Sequence, residues 1–349
     1  MAVQLKWRRD TAANWTSNNP TLAEGEPGFE TDTVKYKIGD GATAWNSLGY
    51  GSSLSGAENA LAALFTDQVS GDDPAPPVSG DLLVYAKSIA GRMMLKQIGP
   101  SGLSTGLQPF LGRNKIGYWC PPGNATTTPG ALGFTAYSTA GTVTAANVAT
   151  TNLFTRMRRL SFVSSATAPA LASARVAVAQ VTMGDGDGNG GFYKIIRFGC
   201  SDAATVSGAR QFCGIASNTG APTNVEPSTL TNVVGVGHGA ADTTMSLYYG
   251  GSVVQPPISL GANFPANTLT ADVYELALFA PSSALGTIYY EVTRINTGDV
   301  VTGVLVDSSG ICLPAQQTLL TYSWNYRTNN ATSLAVSFDI MSDYIETDN

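Results

Sequence analysis

The strongest constraint on the fold is an alternation of apolar and polar side chains near the C-terminus. Between Leu334 and Ile345 one face carries Leu334, Val336, Phe338, Ile340 and Tyr344, and the other carries Ala335, Ser337, Asp339 and Asp343. A period of two residues is typical of a β-strand with one buried face. We therefore expect this segment to be a sandwich strand whose second face is in water.

The same pattern recurs upstream, in short segments separated by turn residues. Strands are predicted over 192–200, 209–216, 233–237, 245–249, 271–279, 287–295, 300–306 and 318–324. No strand–helix–strand rhythm interrupts the series, which argues against a parallel α/β sheet. The sequence predicts an all-β protein in which residues 119–349 form a jelly-roll-like β-sandwich.

Composition limits the partners of the chain. Charged residues make up only 13%, against a usual share of about 25%, and such a surface suits burial against copies or partners. The net charge is −6, which argues against nucleic acid as a ligand. Residues 1–10 lack the apolar core of a signal peptide, and no run approaches the length of a membrane span. We expect assembly in a cytoplasm and no membrane insertion.

The four cysteines and the single histidine are predicted to be structural. Cys120, Cys200, Cys213 and Cys312 lack both Cys-x-x-Cys spacing and histidine partners, so no zinc site is expected. Cys200 and Cys213 continue the apolar alternation of strands, which predicts small core side chains; a disulfide in an extracellular particle is the alternative. His238 lies at a strand end, and no Gly-x-Ser-x-Gly elbow supplies a nucleophile for it.

A separate small unit is predicted for residues 1–53. Residues 22–50 read LAEGEPGFETDTVKYKIGDGATAWNSLGY, which predicts two short strands and two tight turns. Asp32-Thr33 forms the first turn, and Gly39-Asp40-Gly41 forms the second because glycine adopts positive φ freely. Trp45 and Tyr50 follow as apolar anchors.

An ordered series of residues carries a resemblance in this unit. They are Arg8-Arg9-Asp10, Trp15, Pro20, Leu22, Gly25-Glu26, Gly28, Glu30-Thr31-Asp32-Thr33, Lys37-Ile38-Gly39-Asp40-Gly41 and Trp45. With them the chain resembles the N-terminal domain of bacteriophage tail-fibre and tropism-determinant proteins, which usually have glycine at position 34. The resemblance implies a homotrimer and a head that attaches to other virion proteins of the tail or baseplate. Its candidate attachment residues are Arg8, Arg9, Trp15 and Trp45.

Two connecting segments follow the head. Within residues 54–80 we predict a short helix over 56–68, started by a Ser55–Glu58 capping box, and then a proline-rich linker. The apolar stripe of this helix would be buried on the axis of a trimer. Residues 81–118 are predicted to form a β-hairpin shoulder that turns at Ile89-Ala90-Gly91, and they resemble a shoulder segment of phage fibres.

The C-terminal region carries a second resemblance. The segments GFYKIIRFG, TNVVGVGHGAADT and NTLTADVYEL, with the last 24 residues, are similar to C-terminal domains of phage fibres that have concanavalin-type, lectin-like folds. This resemblance brings no site residues. Aromatic residues near predicted turns are candidates for stacking on the sugar rings of a host glycan: Tyr248, Tyr249, Trp324 and Tyr326. The alternative is that they fill the sandwich core or a subunit interface.

Residues 185–190, DGDGNG, match the first half of a calcium-binding loop. The twelfth position is Ile196, where such a loop needs a bidentate glutamate. The sequence favours a glycine-rich turn, and Asp185, Asp187 and Asn189 are the ligands of the alternative calcium site. No cofactor is predicted.

Paired carboxylates could in principle cleave glycans, as in tailspike depolymerases. The pairs Asp272 with Glu275 and Asp339 with Asp343 are expected on solvent-facing strands or turns, without a neighbouring aromatic cluster. No parallel β-helix repeat is visible either. The protein is therefore predicted to be non-enzymatic.

These observations together predict a structural phage protein, located in the virion. The first hypothesis is a tail fibre that attaches by its head and binds a host-surface receptor, glycan or protein, through its sandwich. The alternative is a head fibre, collar or baseplate decoration protein with no receptor role. A glycan-cleaving tailspike ranks last.

Overall fold

The computed structural model describes residues 8–51, 73–78, 81–100, 104–106, 115–119 and 137–347. The chain divides into two units, Met1–Phe65 and Thr66–Asn349, and each is described by itself. The helix predicted over 56–68 lies outside the described residues, as do the first residues of the predicted linker.

The N-terminal unit is a three-stranded sheet with one short helix. Its elements are β1 (Arg8–Asp10), α1 (Ala12–Asn18), β2 (Pro27–Glu30), β3 (Tyr36–Ile38) and a 3₁₀ turn (Trp45–Ser47). β2 pairs with β1 in parallel and with β3 antiparallel. The two predicted strands are present, but β1 and α1 were not predicted. The helix has recognisable ends: the Thr11 hydroxyl accepts from the Asn14 N–H, and Asn19 ends it in left-handed conformation.

Two stacked tryptophans form the core of this unit. The Trp15 and Trp45 rings lie 4.1 Å apart at an interplanar angle of 14°, and Leu22 packs with them. Gly28 faces the stack so closely that a Cβ there would lie 2.6 Å from the Trp45 ring. The stack therefore requires glycine at this position of β2.

The second unit begins with the predicted hairpin, which is confirmed. β4 (Leu83–Ile89) pairs with β5 (Arg92–Ile98), and β5 pairs with β6 (Ser104–Gly106). Ala90 and Gly91 both have positive φ, the geometry of a two-residue type I′ turn. Asp73 binds across the hairpin, accepting hydrogen bonds from Tyr85, Lys87 and Lys96. Partial burial raises its pKa, but the bonds from Lys96 and Tyr85 outweigh burial and hold the pKa well below its usual value.

Two large antiparallel sheets form the rest of this unit. The larger contains β7 (Lys115–Trp119), β9 (Thr142–Ala146), β10 (Arg159–Val163), β12 (Phe192–Gly199), β17 (Tyr274–Ala280), β18 (Thr287–Arg294), β19 (Asp299–Val306) and β21 (Ser337–Thr347). The smaller contains β8 (Tyr137–Ala140), β11 (Ala170–Val176), β13 (Arg210–Ala216), β14 (Val233–His238), β15 (Ser246–Gly250), β16 (Ile258–Ser259) and β20 (Thr321–Asn329). A short helix, α2 (Leu153–Arg156), and a 3₁₀ turn (Pro227–Thr229) lie in the connections.

The strand order places β21 near the middle of the larger sheet. The orders are β19-β18-β17-β12-β21-β10-β9 and β16-β15-β14-β13-β20-β11-β8. β12 pairs along one edge of β21, while β10 and β7 share the other edge. The predicted all-β sandwich is confirmed, and each of the predicted strands overlaps an observed one. The predicted domain boundary between residues 118 and 119 falls inside β7.

The core between the sheets is mostly apolar, and the fully buried side chains of Phe162, Ile196 and Val236 are part of it. Cys200 and Cys213 are buried free thiols, as the core prediction required. Burial raises the pKa of Cys200 to about 12, so this thiol stays protonated at neutral pH.

The second face of β21 is buried, so the prediction of a wet face is wrong. Ser337 and Asp339 on this face are each at most 2% exposed. Asp343 is equally buried, but a register shift between Ile340 and Ser342 turns it towards the core. Asp339 Oδ1 lies 3.7 Å from Arg159 Nε, and the Ser337 N–H donates to Asp202 at 2.6 Å. A two-residue period separates the two faces of a strand but does not tell whether other segments cover the second.

Candidate attachment and receptor-binding sites

The predicted attachment residues of the head fall into two groups. Trp15 and Trp45 are at most 3% exposed and belong to the core. Arg8 and Arg9 are exposed on β1. The Arg8 guanidinium lies 5.4 Å from the centroid of the Trp15 ring and 3.6 Å from Glu26 Oε1. The two arginines are therefore accessible on the surface of this unit, whereas the two tryptophans form the core against which β1 and β2 pack.

A buried cation supports the same unit. The Lys37 ammonium donates to the Trp45 carbonyl at 2.7 Å and lies 4.3 Å from the centroid of the Tyr50 ring. Burial lowers the pKa of Lys37, and the nearby Glu30 carboxylate opposes that shift. Tyr50 donates to Glu30 at 2.7 Å, so the cation, ring and carboxylate form one network. The alternation of lysines in β3 did not indicate that one of them is buried.

The four aromatic residues proposed to stack on sugars do not form an open platform. Tyr248, Trp324 and Tyr326 are at most 2% exposed and pack together with Phe212. Their polar atoms are bonded: Trp324 Nε1 donates to the Gly220 carbonyl, and the Tyr326 hydroxyl donates to the Val225 carbonyl.

Tyr249 packs against the main core instead, because neighbouring residues of a strand point to opposite faces. Ring faces that are covered by their own chain are not available to a sugar.

The Asp185 segment is a glycine-rich turn closed by its own side chain. Asp185 Oδ1 accepts from the N–H groups of Asp187 and Asn189 at 2.8 and 3.0 Å, and Oδ2 accepts from the Asn189 amide at 2.8 Å. These bonds, with the Asn189 amide first, lower the pKa of Asp185. Within the described part of the chain, no group of three or more His, Cys, Asp or Glu side chains has an arrangement suited to a metal ion.

The four carboxylates considered for glycan cleavage each lie beside a basic side chain. They were expected to face solvent, and only some of them do. Asp339 and Asp343 are buried, against expectation. Asp272 is 5% exposed and lies 2.9 Å from Arg294 Nη2. Glu275 is paired with Arg197 at 2.5 Å.

The single histidine is buried in a polar network. His238 Nε2 lies 3.0 Å from Arg327 Nη1, and Nδ1 lies 3.1 Å from the Gly239 carbonyl. Arginine can only donate, so Nε2 accepts and Nδ1 carries the proton. Burial, and then the Arg327 charge, lowers the pKa of His238 to about 3. This histidine is a neutral structural residue, in agreement with the sequence.

A groove lies where the tip of the β4–β5 hairpin contacts the outer face of the larger sheet. The Ala90 N–H donates to Glu291 at 3.1 Å, and a Cβ on Gly91 would lie 2.5 Å from the Tyr289 ring. The Arg92 guanidinium donates to both carboxylate oxygens of Glu346, at 2.8 and 2.7 Å. The hairpin thus provides one wall of the groove, and the sheet provides the other.

The groove has a volume of about 230 Å³ and a mixed lining. Arg92, Glu346, Ser282 and Ser283 supply polar groups, and Phe279 supplies an aromatic ring that is half-buried. Arg92 and Glu346 carry opposite charges, so the pair adds no net charge. Such a wall offers donors and acceptors side by side without attracting an ion.

Tyr193 supports the groove from below. The Arg92 guanidinium lies 4.6 Å from the centroid of the Tyr193 ring, a distance typical of a cation–π contact. The Tyr193 ring meets the Phe279 ring edge-on at 6.0 Å. Its hydroxyl is buried without a hydrogen-bond partner among the described residues, and burial raises the pKa of Tyr193. The ring therefore holds Arg92 and Phe279 in place.

The groove was not predicted from the sequence. Arg92 follows the hairpin turn and Glu346 lies at the end of the last strand, 254 residues away. No local pattern connects two such positions. The available signal was an arginine beside a tight turn, and that signal is common on solvated surfaces.

Comparison with known proteins identifies the N-terminal unit. Residues 5–43 match the family model of the major tropism determinant N-terminal domain, and the resemblance stated from the sequence is confirmed. The match lies entirely within the N-terminal unit. No curated protein matches the chain.

Several solved structures show a partial likeness to this chain. Peanut lectin with a bound nine-residue peptide is 14% identical, with a TM-score of 0.43, and the match covers 67% of this chain and 97% of the lectin. Arcelin-5, a lectin-like defence protein from Phaseolus vulgaris, is 10% identical with a TM-score of 0.44, covering 67% and 98%. A protein of unknown function from Shewanella oneidensis MR-1 is 11% identical with a TM-score of 0.41, covering 69% and 90%.

Among the described residues, no helix has both the length and the apolar character needed to cross a bilayer. The chain combines a match to the major tropism determinant N-terminal domain over residues 5–43 with a two-sheet antiparallel β-sandwich.

Proposed function

We propose that this protein is a fibre of a phage virion that attaches to the particle by its N-terminal unit and binds a host-surface glycan through its sandwich. The observation that carries the proposal is the family match over residues 5–43. A family defined by host tropism supports a role in host attachment. The protein acts by binding, without a catalytic step.

The attachment surface is proposed to include β1. Arg8 and Arg9 are exposed there, while the stacked tryptophans behind them fix the strand. Two guanidinium groups on a rigid edge suit an acidic partner in the tail or baseplate. We propose that this partner is another virion protein.

The receptor site is proposed to be the groove beside Arg92. A sugar hydroxyl both donates and accepts hydrogen bonds, so vicinal hydroxyls complement a guanidinium and a carboxylate held side by side. Ser282 and Ser283 add hydroxyl groups to the lining of the groove. Phe279 adds an apolar face for the C–H groups of a pyranose ring. The neutral sum of Arg92 and Glu346 favours a neutral sugar over an acidic one.

Weak sites become effective when several are held together. We propose a homotrimer, in which three grooves at fixed spacing make the second and third contacts intramolecular. The low share of charged residues, 13%, supports burial of part of the surface between copies. Sedimentation of the purified full-length chain tests the stoichiometry directly.

The binding role is tested by competition. Purified full-length protein is added to host bacteria before the phage, and adsorption of the phage is counted. We expect the wild-type protein to protect the cells. Ser283→Trp fills the groove at an exposed position, and we expect it to lose this protection. The matched control is Ser333→Trp, an exposed serine between β20 and β21, which should protect as well as wild type.

Three other outcomes have separate meanings. A folded wild-type protein that neither binds cells nor protects them would favour a decoration role on the head, collar or baseplate. Equal protection by Ser283→Trp and wild type would keep the fibre role but reject the groove. Release of reducing ends from host polysaccharide would favour a tailspike.

Attachment is tested on the particle. Arg8→Glu with Arg9→Glu should lower incorporation of the protein into virions while leaving cell binding by the purified protein unchanged. Thr33→Glu, on an exposed turn of the same unit, is the control for added negative charge. Normal incorporation of the double variant would place the attachment surface elsewhere on the head.

A further inference from the structure

A lysine and an aspartate meet in the core between the two sheets. Lys194 lies on β12 and Asp343 lies on β21, its hydrogen-bonded neighbour in the larger sheet. Both side chains are fully buried, and Lys194 Nζ lies 2.5 Å from Asp343 Oδ1. This separation is below the usual range of about 2.7–2.9 Å for a charge-assisted N–H···O bond.

The surroundings of the pair contain one further donor to the carboxylate. The Tyr137 hydroxyl donates to Asp343 Oδ2 and also lies 3.2 Å from the Ser323 hydroxyl. On the other side, the Tyr322 ring centroid lies 5.5 Å from Lys194 Nζ, and Cys213 is buried nearby. Both oxygens of Asp343 are therefore engaged, one by the lysine and one by the tyrosine.

The lysine is poorly satisfied as an ammonium ion. Among the described residues, Asp343 is the only hydrogen-bond partner of Lys194, so two of its three N–H groups would be left without an acceptor. A buried ion pair repays its desolvation only when its remaining donors are satisfied. Transfer of one proton from nitrogen to Oδ1 removes both charges and leaves a neutral amine against a neutral carboxylic acid.

We propose that Lys194 and Asp343 condense to an intramolecular isopeptide bond. The amine lone pair attacks Asp343 Cγ, forming the N–C bond. Oδ1 takes up the proton lost by nitrogen and leaves as water, while Tyr137 holds Oδ2, which becomes the amide oxygen. Amine and acid together lose one water and no electrons, so no oxidant or activating group is needed.

The fold supplies what this condensation lacks in solution. Reacting groups held in contact have effective concentrations of about 10⁵ to 10⁸ M, and the apolar core surrounding the pair excludes bulk water. The product also has fewer unsatisfied donors than the ion pair, because the amide keeps one N–H. The bond joins residues 149 apart in sequence and ties the last strand of the sandwich to β12. A covalent tie of this kind suits a protein that is pulled during adsorption.

The test is the intact mass of the purified full-length chain in denaturant. We expect it to be about 18 Da below the mass of the sequence, because one water is lost on amide formation. Trypsin should then release residues 176–197 joined to residues 328–349, since an acylated lysine is not cleaved. A mass equal to that of the sequence overturns the proposal. So does a deficit of the same size in unlinked peptides, which indicates a succinimide at an Asp-Gly site.

Variants separate the roles of the three side chains. Lys194→Met and Asp343→Ala should restore the full mass whether or not they fold, because each removes a reacting group. Tyr137→Phe keeps both reacting groups and the ring, and should slow the loss of water after synthesis. Loss of water in Lys194→Met would show that another site is responsible and would reject the bond.

Discussion

Replacing Asp202 by alanine should remove a buried polar link between the two sheets. Its carboxylate accepts from Arg327 Nη2 at 2.7 Å and from Nε at 3.0 Å. Oδ1 also accepts the Ser337 N–H at 2.6 Å. Arg327 lies on β20 of the smaller sheet and Ser337 on β21 of the larger. The side chains of Asp202 and Arg327 are fully buried, so the alanine variant leaves an arginine charge in the core without its counter-ion.

The expected cost follows from this burial. Breaking a fully buried ion pair by removing one partner costs about 3–5 kcal/mol of the free energy of unfolding, because the remaining charge stays desolvated. The matched control is Glu275→Ala, which removes the partner of Arg197. That arginine side chain is 44% exposed, and an exposed pair contributes about 0–1 kcal/mol. The two variants should therefore differ by about 2–5 kcal/mol.

The assay is guanidinium denaturation followed by far-UV circular dichroism on the full-length chain. Wild type, the two alanine variants and Asp202→Asn are compared at pH 7, with the slope of each transition checked for change. Asp202→Asn removes the charge but keeps an acceptor for Ser337, so it should lie between wild type and alanine. A cost for Asp202→Ala no larger than that of Glu275→Ala would refute the reasoning, since the link would then contribute no more than a surface pair.

Three further predictions concern single residues. Burial and the Arg327 charge hold the pKa of His238 near 3, so as the pH falls the unfolded chain binds a proton at this residue before the folded chain does. The contribution of His238 to the free energy of unfolding should therefore fall by about 2–3 kcal/mol from pH 7 to 4.5. His238→Gln should flatten the measured pH dependence of the free energy of unfolding. Val34 has φ +59° and is 69% exposed, so Val34→Gly should raise the thermal midpoint of the head, whereas Val34→Ala should not. Gly28→Ala should cost the head about 1–3 kcal/mol in chemical denaturation, because its Cβ would meet the Trp45 ring.

The strands could be predicted because their signal is local. A strand alternates every two residues, and the residues that end it are its immediate neighbours, so segments such as 287–295 and 300–306 were found with small errors. The turn at Ala90-Gly91 was predictable for the same reason. The helix over Ala12–Asn18 was missed because a helix of two turns has little periodicity, although its capping residue Thr11 was visible.

The sites could not be predicted because their partners are far apart in sequence. The groove forms where Arg92 contacts Glu346, and the buried ion pair forms where Lys194 contacts Asp343. The order of strands in the sheet determines which of these residues come into contact. That order cannot be inferred from the sequence of any single strand. For Trp324 the sequence left a sugar-stacking role and burial both open, for a related reason: Trp324 Nε1 bonds to the loop that contains Gly220, and alternation does not show which loop returns over a sheet.

The positions of these distant pairs explain why a chain with few charges buries several of them. Asp202 reaches β21 at Ser337, Lys194 reaches it at Asp343, and Arg92 reaches it at Glu346. These contacts are spaced along one strand, and each comes from a different element. A strand that slipped by one residue would turn all of these side chains to the wrong face at once. Apolar contacts alone would penalise such a slip less, because valine and isoleucine occupy many positions of similar shape, whereas an unpaired buried charge is costly. The buried pairs therefore select the register of β21, and through Glu346 that register also sets the wall of the groove.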